Sequence, residues 1–305
     1  MKWVLAFVLV ALSGLASAWY NQATPAMLDA RYDLAACNVD FGKEFLSMRE
    51  ECGIEENVTV FDSSDYVDTL DGDLADLREA ADDADEPEFG AASFKLGLDS
   101  LALIGAIVGD AFRNKTLGFF ACVDENDEPL KSMRDECVAA ALDKEKVAAK
   151  EYVNNELEKG NEEIEDLQDL GADTSGMEQN IEYGEELVDD ADAVYDTHDT
   201  KEIEKLHLRH SRLMLLFRAE QMKAVIDYAR PIIEEGNNGN REEILERGDE
   251  LEEDIDDLLE ECEYSAGVEN NAEYSRQNLG CWTDGLVIAN DFNSIRALIL
   301  EGMFE

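Results

Sequence analysis

Basic residues are scarce in this chain. It holds 25 Lys and Arg against 73 Asp and Glu, which gives a formal net charge of −48 at pH 7. A surface this acidic repels the phosphate backbone, so nucleic acids are excluded as partners. Proline is also rare, with only 4 residues, and the alternation of apolar and polar residues that is typical of strands is hard to find. These absences leave an all-α fold as the expectation.

Motifs of common enzymes and cofactor sites are missing as well. The sequence has no nucleophile elbow, phosphate-binding loop, HExxH pair or dinucleotide fingerprint, which are the short motifs with a known chemical role. It also lacks the CxxC spacing of zinc sites and redox centres. We therefore expect no cofactor and no catalytic residues, and a hydrolytic enzyme without a recognisable motif is only a third alternative.

The chain begins with an apolar run. Residues 1–18 contain Lys2, an apolar core that starts at Trp3, and the small residues Ala16-Ser17-Ala18. This order is that of a secretory signal peptide with cleavage after Ala18. The C-terminal tail is too short for a membrane anchor. We therefore expect a mature chain without a transmembrane anchor, either secreted to the extracellular space or associated with the cell surface.

A second apolar segment covers residues 94–112. Asp99 and Asp110 bracket ten residues without charge, a stretch that is too short to span a membrane and has the usual length of a buried helix. Gly97, Gly105 and Gly109 would let another helix approach closely. We expect the central buried helix of a head region, and a membrane-inserting or oligomerising helix is the alternative.

Acidic residues are spread along the whole chain and alternate with apolar residues at helical spacing. At molar salt the Debye length falls to ~3 Å, so the mutual repulsion of such a surface is screened. The composition therefore resembles that of proteins from extreme halophiles. The alternative is a calcium buffer or mineral-binding matrix protein, in which acids often come in runs. Asp71-Gly72-Asp73 and residues 124–127 do not complete a calcium loop, so only weak, non-specific cation binding is expected.

Amphipathic patterns predict a series of long helices joined by short turns. The longest is expected over residues 128–168, with Pro129 near its start, and others over 201–233 and 272–302. Such helices bury their apolar stripes against one another, as elongated antiparallel bundles or coiled-coil-like hairpins. The predicted regions after the signal peptide are a disulfide-stapled helical head at 19–127, a long hairpin stack at 128–265, and a C-terminal helical segment at 266–305 that packs on the head.

Four of the six cysteines belong to a repeated unit. The copies run from Cys37 to Cys52 and from Cys122 to Cys137, with identical spacing and the shared ending SMR(E/D)EC. In each copy we expect an acidic loop and then a helix that carries the second cysteine, so that the two ends of the unit can meet. This is one choice among the connectivities that six cysteines allow. The predicted disulfides join nearest neighbours: Cys37–Cys52, Cys122–Cys137 and, as a degenerate third pair, Cys262–Cys281.

Two glycosylation sequons lie close to the cysteine units. Asn57 begins the tripeptide Asn-Val-Thr, and Asn114 begins Asn-Lys-Thr. In an exported protein both asparagines are candidate glycan acceptors. If both carry glycans, the head presents an exposed, glycan-bearing face.

All three histidines fall between residues 198 and 210. Glu204, His207 and His210 follow one another at a spacing of three, which is that of a carboxylate-bridged metal helix. A di-iron bundle requires a second Glu-x-x-His helix, and the sequence has none. The neighbouring Lys205, Arg209 and Arg212 also disfavour a cation. We therefore prefer a mildly basic helix face that pairs with acidic helices, and Glu204, His207 and His210 are weak metal candidates.

The function expected from these features is binding, adhesion or assembly at or near the cell surface, without catalysis. A protein partner or a cell-surface component is the expected contact, and a homo-oligomer is one form that assembly can take. The main alternative is an extracellular protein that binds calcium.

Overall fold

The computed structural model describes residues 24–111, 116–235, 240–264 and 271–302. These residues form eight α-helices and no strand, which confirms the predicted all-α fold. The predicted signal peptide at 1–18 and the sequon asparagine Asn114 lie outside the described residues. In chain order the helices are α1 (Pro25–Glu55), α2 (Ser64–Asp82), α3 (Glu86–Ala111), α4 (Leu117–Leu170), α5 (Ser175–Tyr195), α6 (Thr200–Glu235), α7 (Arg241–Glu261) and α8 (Asn271–Gly302).

Helix α1 begins where the sequence supplies start signals. The Thr24 hydroxyl accepts a hydrogen bond from the Met27 backbone N–H at 3.3 Å, and Pro25 opens the helix. An N-cap threonine accepts a hydrogen bond from a backbone N–H that has no partner within the helix. Proline at the first helical position already has the φ angle that the helix requires. The helix then continues through the residues after Cys37 that were predicted to form an acidic loop, because Phe41 and Phe45 prolong its apolar spacing and are both buried.

Helix α4 is longer than the predicted helix over 128–168. It covers 54 residues and includes the acidic segment after Cys122 that was also predicted as a loop. Pro129 therefore lies inside the helix and not near its start. Its ring removes one backbone hydrogen bond, and both Pro129 and Glu125, whose carbonyl loses that bond, are exposed. Water can satisfy a carbonyl on the solvent side, so the helix tolerates the proline.

The helices divide into two compact units. Of the described residues, unit 1 comprises those up to 149 together with 195–200, and unit 2 comprises 150–194 and those from 201 onward. The division within α4 thus falls between Ala149 and Lys150, whereas the predicted head ended at residue 127. The C-terminal segment was expected to pack on the head, and its described helix α8 (Asn271–Gly302) belongs to unit 2.

Unit 1 has a core that α1, α2 and α3 share. Leu28, Leu77 and Leu103 come from the three helices in turn, and each is at most 1% exposed. A smaller apolar cluster joins α1 to the beginning of α4 around Phe45 and Phe119. Burying a leucine of this kind stabilises the fold by about 1.5–3 kcal/mol relative to leaving it in water.

Unit 1 also buries two arginines, and each has a carboxylate partner. Arg31 Nε lies 3.2 Å from Glu145 Oε1, and Arg49 Nη2 lies 2.9 Å from Asp110 Oδ2. All four side chains are nearly inaccessible to solvent. In each pair the carboxylate compensates the buried positive charge of the arginine, which would otherwise be strongly unfavourable.

Unit 2 has a core between α6, α7 and α8. Ile244, Leu251, Ile255 and Leu258 follow one another at the spacing of one helix face, and all are at most 3% exposed. They pack against α6 and α8, so α7 contributes its apolar stripe to a helical layer as amphipathic helices do. The described residues of α8 that join this core are Cys281, Ile288 and Ile295.

Candidate functional site

The four cysteines of the repeated unit form disulfides between the copies. Cys37 is bonded to Cys137 and Cys52 to Cys122, each with a Cα–Cα distance of 5.8 Å. The predicted pairing within each copy is therefore wrong. Each copy is one continuous stretch of helix, so its two cysteines lie ~22 Å apart along the helix axis. A disulfide spans at most ~7 Å between Cα atoms, and only the crossed pairing can close.

The crossed pairing holds α1 and the beginning of α4 side by side in opposite directions. The first cysteine of each copy bonds the second cysteine of the other copy. Fifteen residues are slightly more than four helical turns, so both cysteines of a copy point towards the same neighbouring helix. The repeat therefore encodes a clamp with two covalent links.

The third disulfide is the one that the sequence predicted. Cys262 at the end of α7 is bonded to Cys281 of α8, with a Cα–Cα distance of 5.9 Å. Within the described residues no cysteine is left unbonded. Three disulfides are compatible with an extracellular location, where oxidising conditions preserve them.

Asn57 lies at the surface of unit 1, on the turn that follows α1, and its side chain is exposed. Its φ of +52° places it in the left-handed region, which asparagine adopts more readily than most residues. An exposed turn is the setting in which an N-glycan is tolerated. Of the second sequon the structure describes Thr116, whose hydroxyl accepts a hydrogen bond from the Phe119 backbone N–H at 3.1 Å at the start of α4.

The metal candidates on α6 lie in different surroundings. Glu204 accepts a hydrogen bond from the Asn271 side-chain amide at 2.8 Å. His210 is 6% exposed and packs edge-to-face on Tyr152, with ring centroids 5.7 Å apart. Burial, and secondarily the charge of His207, lowers the pKa of His210 to about 4. In the described parts of the chain no group of three or more His, Cys, Asp or Glu side chains is placed to hold a metal ion.

Helix α3 has two contrasting faces. Its inner face contributes Phe89, Ala92, Leu96 and Leu103 to the core of unit 1. The opposite face carries apolar residues that no other described helix covers, with Phe94 45% exposed and Leu98 49% exposed. The expectation of a central buried helix therefore holds for one face only. We define the outer stripe as the residues Ala91, Phe94, Leu98, Leu101, Ala102, Gly105 and Gly109, which are exposed or half-exposed.

Three charged side chains of α3, those of Lys95, Asp99 and Asp110, interact with groups on α1 and α2, and the outer stripe itself contains no charged residue. Lys95 Nζ lies 2.8 Å from Asp73 Oδ1 and 3.1 Å from Asp76 Oδ2, both on α2. These hydrogen bonds raise the pKa of Lys95. Burial, together with a hydrogen bond that the protonated Asp99 carboxyl donates to Asp73, raises the pKa of Asp99. Asp110 is engaged by Arg49.

The glycines of the outer stripe leave space in front of the helix backbone. A Cβ added at Gly105 or at Gly109 would meet no atom within 4 Å. The two glycines are four residues apart, on the same side of the helix. Small residues at this spacing let a second helix approach to close backbone contact.

Helix α3 is also a candidate membrane span by length and composition. The segment Pro87–Asp110 has 24 residues, whereas the uncharged stretch in the sequence has only ten. Of the most apolar 18 residues of this segment, only 28% are buried. Its inner face is nevertheless part of the unit 1 core, and Asp110 is buried in an ion pair. Insertion across a bilayer would require that core to open, whereas docking of another helix on the outer stripe would not.

The outer stripe can be recognised in the sequence from the spacing of its apolar residues, which the length of the uncharged stretch does not reveal. Residues 91, 94, 98, 101, 105 and 108 are all apolar or glycine and alternate between spacings of three and four. This is the pattern of a helix-pairing seam, and it is offset from the residues that fill the core.

No family model, curated protein or solved structure matches this chain.

Proposed function

We propose that this is an exported, non-catalytic helical protein that acts at or near the cell surface by assembly, and that the outer stripe of α3 is its contact. The observation that carries the proposal is the uncovered apolar stripe on a helix whose other face is firmly packed. Contiguous exposed apolar surface on a folded domain usually marks an interaction site. The signal-like N-terminus, the disulfides and the exposed Asn57 support export.

The partner that fits the stripe best is a second copy of this chain. A seam with spacings of three and four is self-complementary, because the same seam on a second molecule presents matching knobs and holes. Large residues, Phe94 and Leu98, precede the glycines at 105 and 109, so an antiparallel pair about a two-fold axis sets bulky side chains against open backbone. Helix α3 has 26 residues and is ~39 Å long, enough for several such contacts.

The large negative charge of the chain makes assembly more favourable at high salt than at low salt. Two copies with a formal charge of −48 each repel one another, and the repulsion is long-ranged only while the Debye length is long. The stripe itself carries no charge, so its attraction is apolar and salt does not weaken it. A basic partner would show the opposite dependence, because salt screens attraction between unlike charges.

The test is sedimentation velocity of the secreted protein in low and in molar NaCl. We expect a monomer at low salt and a dimer at molar salt. The variant Phe94→Asp/Leu98→Asp should stay monomeric at both. Val147→Asp/Met133→Asp adds the same two charges at exposed apolar positions of α4 in unit 1, and it should dimerise like the wild type.

Three outcomes would contradict the proposal. These are a monomer at every salt concentration, an unaltered dimer in the α3 variant, and equal loss of the dimer in the α4 control. A flotation assay with neutral phosphatidylcholine vesicles adds a separate arm. Binding to vesicles that depends on Phe94 and Leu98, without dimer formation, would replace self-assembly by membrane docking.

A further inference from the structure

Arg212 of α6 is a buried cation without a carboxylate partner. Its side chain is 2% exposed. The Nε atom donates a hydrogen bond to Asn278 Oδ1, but among the described residues no atom accepts a hydrogen bond from Nη2. None of the ion pairs between described residues includes Arg212, although the chain holds 73 acidic residues.

A buried guanidinium in this state is costly. Burial lowers the pKa of Arg212, yet a guanidinium keeps its proton in proteins. Leaving an ionised group buried and unpaired is strongly unfavourable, and natural structures almost always compensate it. The neighbouring Arg209, three residues earlier, shows the usual solution: its guanidinium contacts Asp190 Oδ2 at 3.1 Å.

A second unsatisfied donor lies beside Arg212. Tyr274 of α8 is 7% exposed, and its hydroxyl has no hydrogen-bond partner in the described parts of the chain. The Arg212 guanidinium carbon lies 4.9 Å from the centroid of the Tyr274 ring. Burial raises the pKa of Tyr274, so its phenol stays a neutral hydrogen-bond donor and does not supply the missing negative charge.

The other polar groups nearby supply no negative charge either. The Asn278 side-chain amide donates to the Leu208 carbonyl at 3.0 Å, so its oxygen is the atom left for Arg212. Trp282 Nε1 donates to the Ser211 hydroxyl at 2.8 Å. His210 has a pKa of about 4 and is neutral near pH 7. Among the described groups that contact Arg212, none supplies the negative charge that its guanidinium lacks.

We propose that Arg212 Nη2 and the Tyr274 hydroxyl bind a small inorganic anion of chloride size inside unit 2. Both donor atoms are shielded from solvent, so a bulky carboxylate or phosphate ester could not reach them, whereas a compact monovalent anion fits a charge-assisted donor pair. The site stabilises the contact between α6 and α8 by neutralising the buried guanidinium. This role is independent of assembly through α3.

The test compares thermal unfolding in NaCl with unfolding in sodium gluconate at the same sodium concentration. Screening of the acidic surface depends on the cation, which is equal in the two buffers, and gluconate is too large for the site. We expect the wild-type midpoint to be several degrees higher in chloride and to rise with the logarithm of the chloride concentration, as for any ligand that binds only the folded state.

Matched variants assign the effect to the site. Arg212→Met removes the charge, Tyr274→Phe removes only the hydroxyl, and both should lose most of the chloride response. Arg209→Met removes a neighbouring charge that already has a carboxylate partner, and it should keep the response. Crystals of the wild type soaked in bromide should show an anomalous peak within hydrogen-bond distance of Arg212 Nη2.

Equal midpoints of the wild type in the two salts would overturn the proposal. A chloride response that survives in Arg212→Met would also overturn it. If that variant does not fold, the crystallographic arm still decides: bromide-soaked crystals without an anomalous peak at Arg212 would mean that water, and not an anion, meets the guanidinium.

Discussion

Unit 1 buries Arg31 and Arg49, and each of them touches a buried carboxylate. In unit 2 the similarly buried Arg212 contacts an amide oxygen and an aromatic ring instead. The two units belong to the same highly acidic chain, so the total number of carboxylates does not decide which buried cations are neutralised. A buried arginine is neutralised only where the helix packed against it places an Asp or Glu side chain within reach of its guanidinium.

The covalent links of the two units differ as well. In unit 1 the disulfides close loops with sequence separations of 100 and 70, whereas the single disulfide of unit 2 closes a loop of 19. Longer loops lose more unfolded-state entropy when they are closed. Unit 1 therefore gains more stability from its covalent links than unit 2 does.

Removal of disulfides should separate the two units most clearly. In the loop-entropy treatment, Cys37→Ser/Cys52→Ser/Cys122→Ser/Cys137→Ser should lower the free energy of unfolding by about 8 kcal/mol, because the inner bond closes a loop with a separation of 70 and the outer bond a further loop of about 30 residues. Cys262→Ser/Cys281→Ser should lower it by about 3 kcal/mol. Urea denaturation followed by far-UV circular dichroism measures both. Equal losses, or a larger loss in the α7–α8 variant, would contradict the contrast in loop length.

The buried arginines should respond in opposite ways to truncation. Arg49→Met removes the cation that compensates the buried Asp110, which should cost about 4 kcal/mol of unfolding free energy, since breaking a buried pair typically costs about 3–5 kcal/mol. Arg212→Met in chloride-free buffer leaves no unpaired carboxylate and should be near neutral or stabilising. The double variant Arg49→Met/Asp110→Leu should recover most of the loss. A comparable loss of unfolding free energy in Arg49→Met and Arg212→Met would contradict the proposed electrostatic difference between the two units.

The pH dependence of unit 2 should come partly from His210. Its folded-state pKa of about 4 lies below the ordinary 6.5, so the unfolded chain binds a proton that the folded chain does not between these values. Stability from this group is full above about pH 6.5 and is lost as the pH falls through 4, with about 2 kcal/mol lost at pH 5.

Denaturant titrations at pH 7 and pH 5 measure this loss. His210→Phe removes the titrating group and keeps an aromatic ring against Tyr152, so the variant should lose less stability over the interval than the wild type. Replacement of the exposed His198 by Gln controls for the number of histidines. An identical pH dependence in wild type and His210→Phe would show that other groups cause the acid sensitivity.

Most helices could be predicted because their apolar residues recur at regular spacing. The predicted helices over 201–233 and 272–302 correspond to Thr200–Glu235 and Asn271–Gly302, and the predicted turn after Gly171 separates α4 from α5. In both copies of the cysteine unit, however, acidic residues and Pro129 suggested a loop. The spacing of Phe41, Phe45 and Met48 was the signal that the first copy is helical throughout.

The candidate sites were less predictable, for physical reasons. The disulfide pairing follows from the rigidity of two helices. The prediction placed a loop between the two cysteines of each repeat copy, and that loop led to the wrong partners. The outer stripe could have been found from its spacing, but its exposure depends on where α1 and α2 pack. Arg212 and Tyr274 lie 62 residues apart in the sequence, and no local pattern indicates that they meet or that neither has a full set of partners.

The crossed disulfides also determine how the molecule bears tension. A force that enters unit 1 through the start of α1 and leaves through α4 after Cys137 travels across the Cys37–Cys137 bond. The chain between these two cysteines, which includes α2 and α3, carries no load while that bond is intact. The surface offered by α3 would therefore keep its shape while the protein is under tension.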